Sequence, residues 1–267
     1  MSFSAEEYRK YNTRITKFMK IYSKFISQDL YSSIQLKFEY DQTKRKFVLI
    51  DGGKKIDVLI YLYKLFVSIM NSKIDEDTIK ELFKIFDEII EEYLASCHET
   101  INEGNKIYSL LCDSSYSIQY EPIKNLLNNK FLINMFVMFN DSLNEISEKI
   151  NKDDAITKHL QELEKIEFKD NKFYIVQSLY EFHNAISHLY IALKSSIDDR
   201  KNIDKAASHL HRGILDSFKN CIQLSNLTDS QKNELIELRV KEFNSIGVST
   251  LDNDKKNILV NYMYLLN

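Results

Sequence analysis

The sequence predicts an all-α protein, a multi-helix bundle of eight to ten helices with one small β-hairpin near residues 35–50. Three observations carry this. The 267 residues contain one proline and five glycines, a shortage that helices tolerate and that sandwiches and barrels, with many turns to make, do not. Apolar residues recur at gaps of three and four along most of the chain, the period of one helix face. Period-two alternation occurs in a single place, Leu36, Phe38 and Tyr40, then Phe47 and Leu49, on either side of Asp41-Gln42-Thr43-Lys44.

Taken in order, Ser4 with Glu7 three positions on forms a capping box. It opens a helix over about Ala5–Leu30, with Tyr8, Tyr11, Ile15, Phe18, Tyr22, Phe25 and Ile26 on one side. After the hairpin, closed by Asp51-Gly52-Gly53, a helix from about Lys54 to Met70 is apolar on most sides and reads as buried. Asp75 or Asp77 caps a long helix to about Glu103, with Gly104 as its C-cap or break. Asp113–Tyr120 is a polar loop, and Pro122 behind it suits a first helical turn, so one helix is expected from there to about Ile150. Further helices are expected from Asp153 or Asp154 to Lys165, over a hairpin within Phe173–Ile222, from Ser230 to Phe243, and from Asn257 to Leu266. The loop at 113–120 is the expected boundary between an N-terminal helical region, 1–115, and a C-terminal bundle, 116–267, that contains the 173–222 hairpin.

The net charge of −3, with both signs interspersed, gives no global field for nucleic acid or acidic membrane. Cys97, Cys112 and Cys221 form no C-x-x-C pair, and reduced thiols in a cytoplasmic protein are expected. The first residues lack the apolar core of a signal peptide. The apolar runs Ile56–Met70 and Leu126–Phe139 are interrupted by polar residues and fall short of the roughly 20 residues that a membrane span needs. No membrane partner is expected.

Chemistry-bearing residues gather in the 173–222 hairpin, which holds His183, His188, His209 and His211. Its two helices carry the same A-x-S-H-L pattern, at Ala185–Leu189 and Ala206–Leu210. Residues equidistant from a turn at 198 or 199 face each other, which sets His188 opposite His209 and Glu181 opposite Asp216. Ala185, Ala192, Ala206 and Gly213 beside them let the backbones approach, and Arg212 lies one turn from both His209 and Asp216. A metal held by His188, His209, Glu181 and Asp216 is disfavoured, because Glu181 and His188 stand about 10 Å apart along their helix. No metal or cofactor is expected. Acid–base chemistry is the sharper reading, with His188 or His209 as base and Arg212 stabilising an anion. A polar layer that fixes helix register is the plainer one.

The run Glu181-Phe182-His183-Asn184-Ala185-Ile186-Ser187-His188 resembles the signature of HEPN domains, helical bundles common in prokaryotic toxin and antiviral systems. Their motif is an arginine, a polar residue, a few others, then histidine. His188 matches the histidine and Asn184 the polar residue, while His183 stands where the arginine would be. The resemblance implies a metal-independent ribonuclease site lined by two protomers. With the arginine replaced, it implies either a site that uses Arg212 instead or a degenerate scaffold. The functional expectation is a helical component of a bacterial antiviral-defence or toxin–antitoxin system acting on RNA. The alternatives are a protein-interaction or homo-oligomerising module and a small-molecule (nucleotide) sensor.

Overall fold

In the computed structural model the described residues are 4–32, 37–41, 46–51, 53–71, 73–97, 101–112, 120–152, 173–194, 199–245 and 253–266. Among them are ten helices: α1 (Ala5–Ser32), α2 (Gly53–Met70), α3 (Glu76–Ser96), α4 (Ile101–Leu111), α5 (Tyr120–Asn128), α6 (Lys130–Lys152), α7 (Phe173–Lys194), α8 (Arg200–Gln223), α9 (Asp229–Asn244) and α10 (Asn253–Leu266). The class is all-α. Between α1 and α2, β1 (Lys37–Asp41) runs antiparallel to β2 (Lys46–Asp51), with Tyr40 opposite Phe47 and an irregularity between Lys37 and Phe38. The helix expected from 153 to 165 lies outside the described residues.

The contacts divide the chain into two compact units. One comprises Met1–Lys130 with Ile186–Ile203, the other Phe131–Ala185 with Asp204–Asn267. The sequence set its boundary at the polar loop 113–120. The contacts instead leave α5 with the first unit, where Tyr8 Oη donates to Asn128 Oδ1 at 2.8 Å.

In the first unit α1 is the element that others cover. The Ser4–Glu7 box closes its first turn: Ser4 N–H donates to Glu7 Oε2 at 2.7 Å and Glu7 N–H to Ser4 Oγ at 3.2 Å. Phe18, Met19, Tyr22 and Phe25 are fully buried, and at about 2–3 kcal/mol per large apolar side chain they make α1 the core of the unit. Tyr22 Oη and Ser187 Oγ share a hydrogen bond of 2.7 Å. Arg14, 2% exposed, donates from Nη1 to the Ile69 carbonyl at the end of α2 (3.4 Å). Its Nη2 donates to the Ile74 carbonyl (3.1 Å) and to Glu76 Oε1 in the first turn of α3 (2.6 Å). The same guanidinium lowers the Glu76 carboxyl below its ordinary value.

Asp75 is the N-cap of α3, accepting from the N–H groups of Asp77 and Thr78. The acidic face of α3 is not wholly left to solvent, since Lys24 Nζ meets Asp87 Oδ1 (2.9 Å) and Glu91 Oε1 (2.7 Å). Two sequence expectations are corrected in this region. Gly104 ends no helix: α3 stops at Ser96 with Cys97 as C-cap, and Gly104 is buried inside α4. A Cβ there would overlap Gln28 Oε1 of α1, so close helix approach explains the glycine. The single helix expected from Pro122 to Ile150 is instead α5 and α6, broken at Asn129, whose N–H turns to the Leu126 carbonyl at 3.1 Å.

In the second unit Phe182 of α7 packs against Phe136 and Phe139 of α6, with ring centroids 6.1 and 5.5 Å apart. Gly213 of α8 lies against the same ring: a Cβ would come within 2.5 Å of Phe139 Cε2 and 3.2 Å of Glu181 Cβ. Beside it the buried Ser178 hydroxyl donates to the Gly213 carbonyl at 2.9 Å and lies 2.9 Å from Ser217 Oγ. Thr228 and Gln231 form a second capping box at the start of α9, and Gln231 Nε2 donates to the Leu265 carbonyl of α10 at 3.3 Å.

Arg14→Ala leaves the Ile69 carbonyl at the end of α2 and the Ile74 carbonyl of the α2–α3 connection without their donor inside the unit. In urea unfolding it is expected to cost about 3 kcal/mol, whereas Glu76→Ala, whose carboxylate is half exposed, costs under about 1 kcal/mol.

Candidate functional site

The structure sorts the residues singled out in the hairpin into two groups. His188 belongs to the first unit. Its Nδ1 lies 2.8 Å from Asn202 Oδ1, and Asn202 Nδ2 in turn donates to Asp199 Oδ2 at 2.5 Å. Asp199 also receives the Asn202 N–H at 3.1 Å, which makes it the cap of α8. The hydrogen bonds from Asn202 hold its carboxyl below the ordinary value. An amide oxygen accepts, so the bonded nitrogen of His188 carries the proton and Nε2 is the acceptor of that ring.

His209 belongs to the second unit. Its Nδ1 lies 2.6 Å from Glu181 Oε2. Arg212, one turn along α8, brings Nη2 to 3.3 Å from His209 Nε2 and 3.4 Å from the same Glu181 oxygen. Nη2 also lies close to Nδ1, but a ring nitrogen that donates to a carboxylate has no lone pair for a second donor. The consistent arrangement is Nδ1–H donating to Glu181, with the Arg212 guanidinium lying against the ring nearer Nδ1 than Nε2, so that the Nε2 lone pair is not taken up by Arg212. Glu181 and His209 side chains are 13% and 17% exposed, against 53% for Arg212, so the guanidinium forms the solvent side of the group.

The equidistant rule is thereby corrected. It set Glu181 opposite Asp216; the structure sets Glu181 opposite His209, seven residues or two turns nearer the start of α8. Gly213 and Ser178 explain the offset, since the tight contact at Gly213 seats α8 against Glu181 and the Phe139 ring. His183 and His211 are buried, at 4% and 5% exposure, and Asn184 is exposed. The residue in the place of the motif arginine is thus a core residue of its unit, remote in environment from the exposed Asn184 beside it.

Asp216 continues the polar strip. Burial pushes its carboxyl up from the ordinary 3.8, with Glu181 and Glu242 adding to the effect and Lys219 and Arg212 opposing it. Lys219 Nζ lies 3.8 Å from Asp216 and 2.5 Å from Glu242 Oε1. Glu242 also accepts from Tyr262 Oη at 2.7 Å and Arg239 Nη1 at 2.7 Å. Burial alone would raise the Glu242 carboxyl; the hydrogen bonds from Lys219 and Tyr262 outweigh it, and the net shift is downward. Burial pushes the Tyr262 phenol up to about 12.

Sequence reasoning missed Asn202, Lys219, Glu242 and Tyr262. The signal for Asn202 was present in the D-x-x-N cap pattern of Asp199 and Asn202; nothing local marked the other three, which meet from three different helices. Among the described residues no three His, Cys, Asp or Glu side chains group as a metal site, and no helix is long and apolar enough to cross a membrane. Compared with protein-family models, curated proteins and solved structures, the chain matches none.

The two carboxylates give opposite pH signatures. A raised folded-state value means that stability is fully present below the unfolded value and is lost as pH rises. Asp216→Asn is therefore expected to stabilise at pH 7, with the advantage fading as pH falls toward 3.8. A lowered value means stability present above the unfolded 4.5 and lost as pH falls through the folded value. Glu242→Gln is expected to cost about 1–2 kcal/mol at pH 7 and progressively less below 4.5. Urea unfolding of both variants across pH 3–8 reads the two slopes.

Proposed function

We propose that this chain is a HEPN-like helical component of a bacterial antiviral-defence or toxin–antitoxin system and that it acts on RNA, with His209 as its acid–base group. The observation that supports this best is the carboxylate–imidazole–guanidinium group of Glu181, His209 and Arg212. Its three parts match the needs of metal-independent phosphodiester cleavage. Glu181 fixes the tautomer and supports the imidazolium that forms. His209 Nε2 takes the proton of the ribose 2′-hydroxyl as that oxygen attacks phosphorus. Arg212, the exposed member, moves onto the phosphate and balances the charge that grows on its oxygens.

The bond from phosphorus to the 5′ oxygen then breaks, and the imidazolium returns its proton to that leaving oxygen. A 2′,3′-cyclic phosphate and a free 5′-hydroxyl result. In this reading Arg212 supplies what His183, buried in the core, does not. His188, with Asn202 and Asp199, is assigned to the anchoring of the start of α8.

Labelled single-stranded RNA incubated with the purified chain in the presence of a chelator tests the assignment. His209→Ala is expected to lower cleavage by 10²–10⁴-fold and Arg212→Ala by on the order of 10²-fold. His188→Ala is expected to leave it within a few-fold of the native rate. Cleavage that persists in His209→Ala and disappears in His188→Ala would overturn this reading in favour of the histidine of the motif.

A further inference from the structure

α9 is apolar on two opposite sides. Its inner side carries Leu238, 4% exposed, with Leu235 and Glu242 part-buried beside it, and this side faces the rest of its unit. Its outer side carries Ile236, Val240 and Phe243, which are 62%, 55% and 72% exposed. A surface helix of a monomeric domain buries one stripe and keeps the other polar. Here the outer stripe is as rich in large apolar residues as the inner one. Three bulky exposed side chains in one line form a contiguous apolar stripe, the kind of surface that marks an interaction site rather than a scatter of single residues.

The outer residues are spaced as a heptad seam. Asn233 and Val240 fall at the first (a) positions and Ile236 and Phe243 at the fourth (d) positions, with gaps of 3, 4 and 3. Asn233 is exposed like the other three. An asparagine at an a position, with a β-branched residue at the next one, is the arrangement that favours two parallel strands in register. The flanks carry the matching charges. Lys232 stands at the position before a and Glu237 at the position after d, five residues apart, the spacing at which one helix of a parallel pair meets its mate. In an antiparallel pair like flanks would meet, and Lys232 and Arg239 of the two copies would share one edge. Lys232 Nζ rests 2.9 Å from Asp229 in an exposed i,i+3 pair, which contributes little to stability.

We infer that the outer face of α9 docks a second copy of this chain, as a short parallel two-helix seam with Val240, Ile236 and Phe243 at its centre and Lys232 against Glu237 of the mate. The occupant follows from the seam: its charge pattern complements itself across a two-fold axis along the helix. A seam of two heptads buries little area, so the dimer is a concentration-dependent one. The inference is independent of the His209 reading, because none of Glu181, His209 and Arg212 lies on α9.

Light scattering after size exclusion tests it on the full chain. The native protein is expected to move from the mass of one 31.6 kDa chain toward twice that mass as concentration rises, and Phe243→Glu to remain at one chain with an unchanged circular-dichroism spectrum. Glu237→Lys is expected to weaken association by on the order of tenfold, and adding Lys232→Glu to restore it, since the swapped pair is again opposite in sign. Asn233→Cys is expected to form a disulfide-linked dimer under mild oxidation, because in a parallel in-register pair that position meets itself. Lys241→Cys, off the seam, serves as the control. A native chain that stays at one copy at every concentration overturns the inference. So does a dimer indifferent to Phe243→Glu, or a dimer in which Asn233→Cys cross-links no better than Lys241→Cys.

Discussion

The close approach of α8 to its neighbours at Gly213 is the constraint on which the second unit depends. A hydrogen in place of a methyl lets the α8 backbone lie against the Phe139 ring and the Glu181 side chain. The Ser178 hydroxyl then reaches the Gly213 carbonyl and Ser217 from the neighbouring helix. These buried contacts leave one register open to the pair, because a slide of one turn would drive a side chain into the ring and strand the hydroxyls. The polar pairing on the outside follows from that register. Glu181 meets His209 because Gly213, one turn further along α8, has already fixed the level.

Polar contacts elsewhere in the second unit do related work over longer sequence distances. Glu242 of α9 gathers Lys219 from α8 and Tyr262 from α10 around one carboxylate, and Gln231 ties the start of α9 to the end of α10. A carboxylate that accepts from a cation and a phenol together is more firmly placed than either contact would make it. α9 needs this, having little buried apolar surface on its inner side. The helix is held in part by its polar residues, and beside the buried Leu238 three of its large apolar residues, Ile236, Val240 and Phe243, face outward.

What could be read from the residues was whatever is local. The caps at Ser4 and Asp75, the buried character of α2 and the helical class all follow from neighbours within a few positions. Gly104 was misjudged because a glycine that ends a helix and one that admits a neighbouring helix look alike until the neighbour, here Gln28, is known. The break at Asn129 sits inside an apolar run that reads as continuous, and the Thr228 box passed unnoticed because Ser230 offered an equally good start. In the site, Glu181, His209 and Arg212 were each identifiable as residues, yet their grouping was not. Symmetry about a turn is a poor guide to register when interlocking at one small residue decides it.

Arg14 carries a consequence of another kind. One side chain of α1 occupies the Ile69 carbonyl at the end of α2, the Ile74 carbonyl ahead of α3 and the first carboxylate of α3 at once. The final turn of α2 therefore cannot fray as an independent event, since opening it would strand a buried guanidinium that α1 has no means of moving to water. Three helices that are separate in sequence thus share one opening transition, and local fluctuation in this corner is replaced by a rarer collective one.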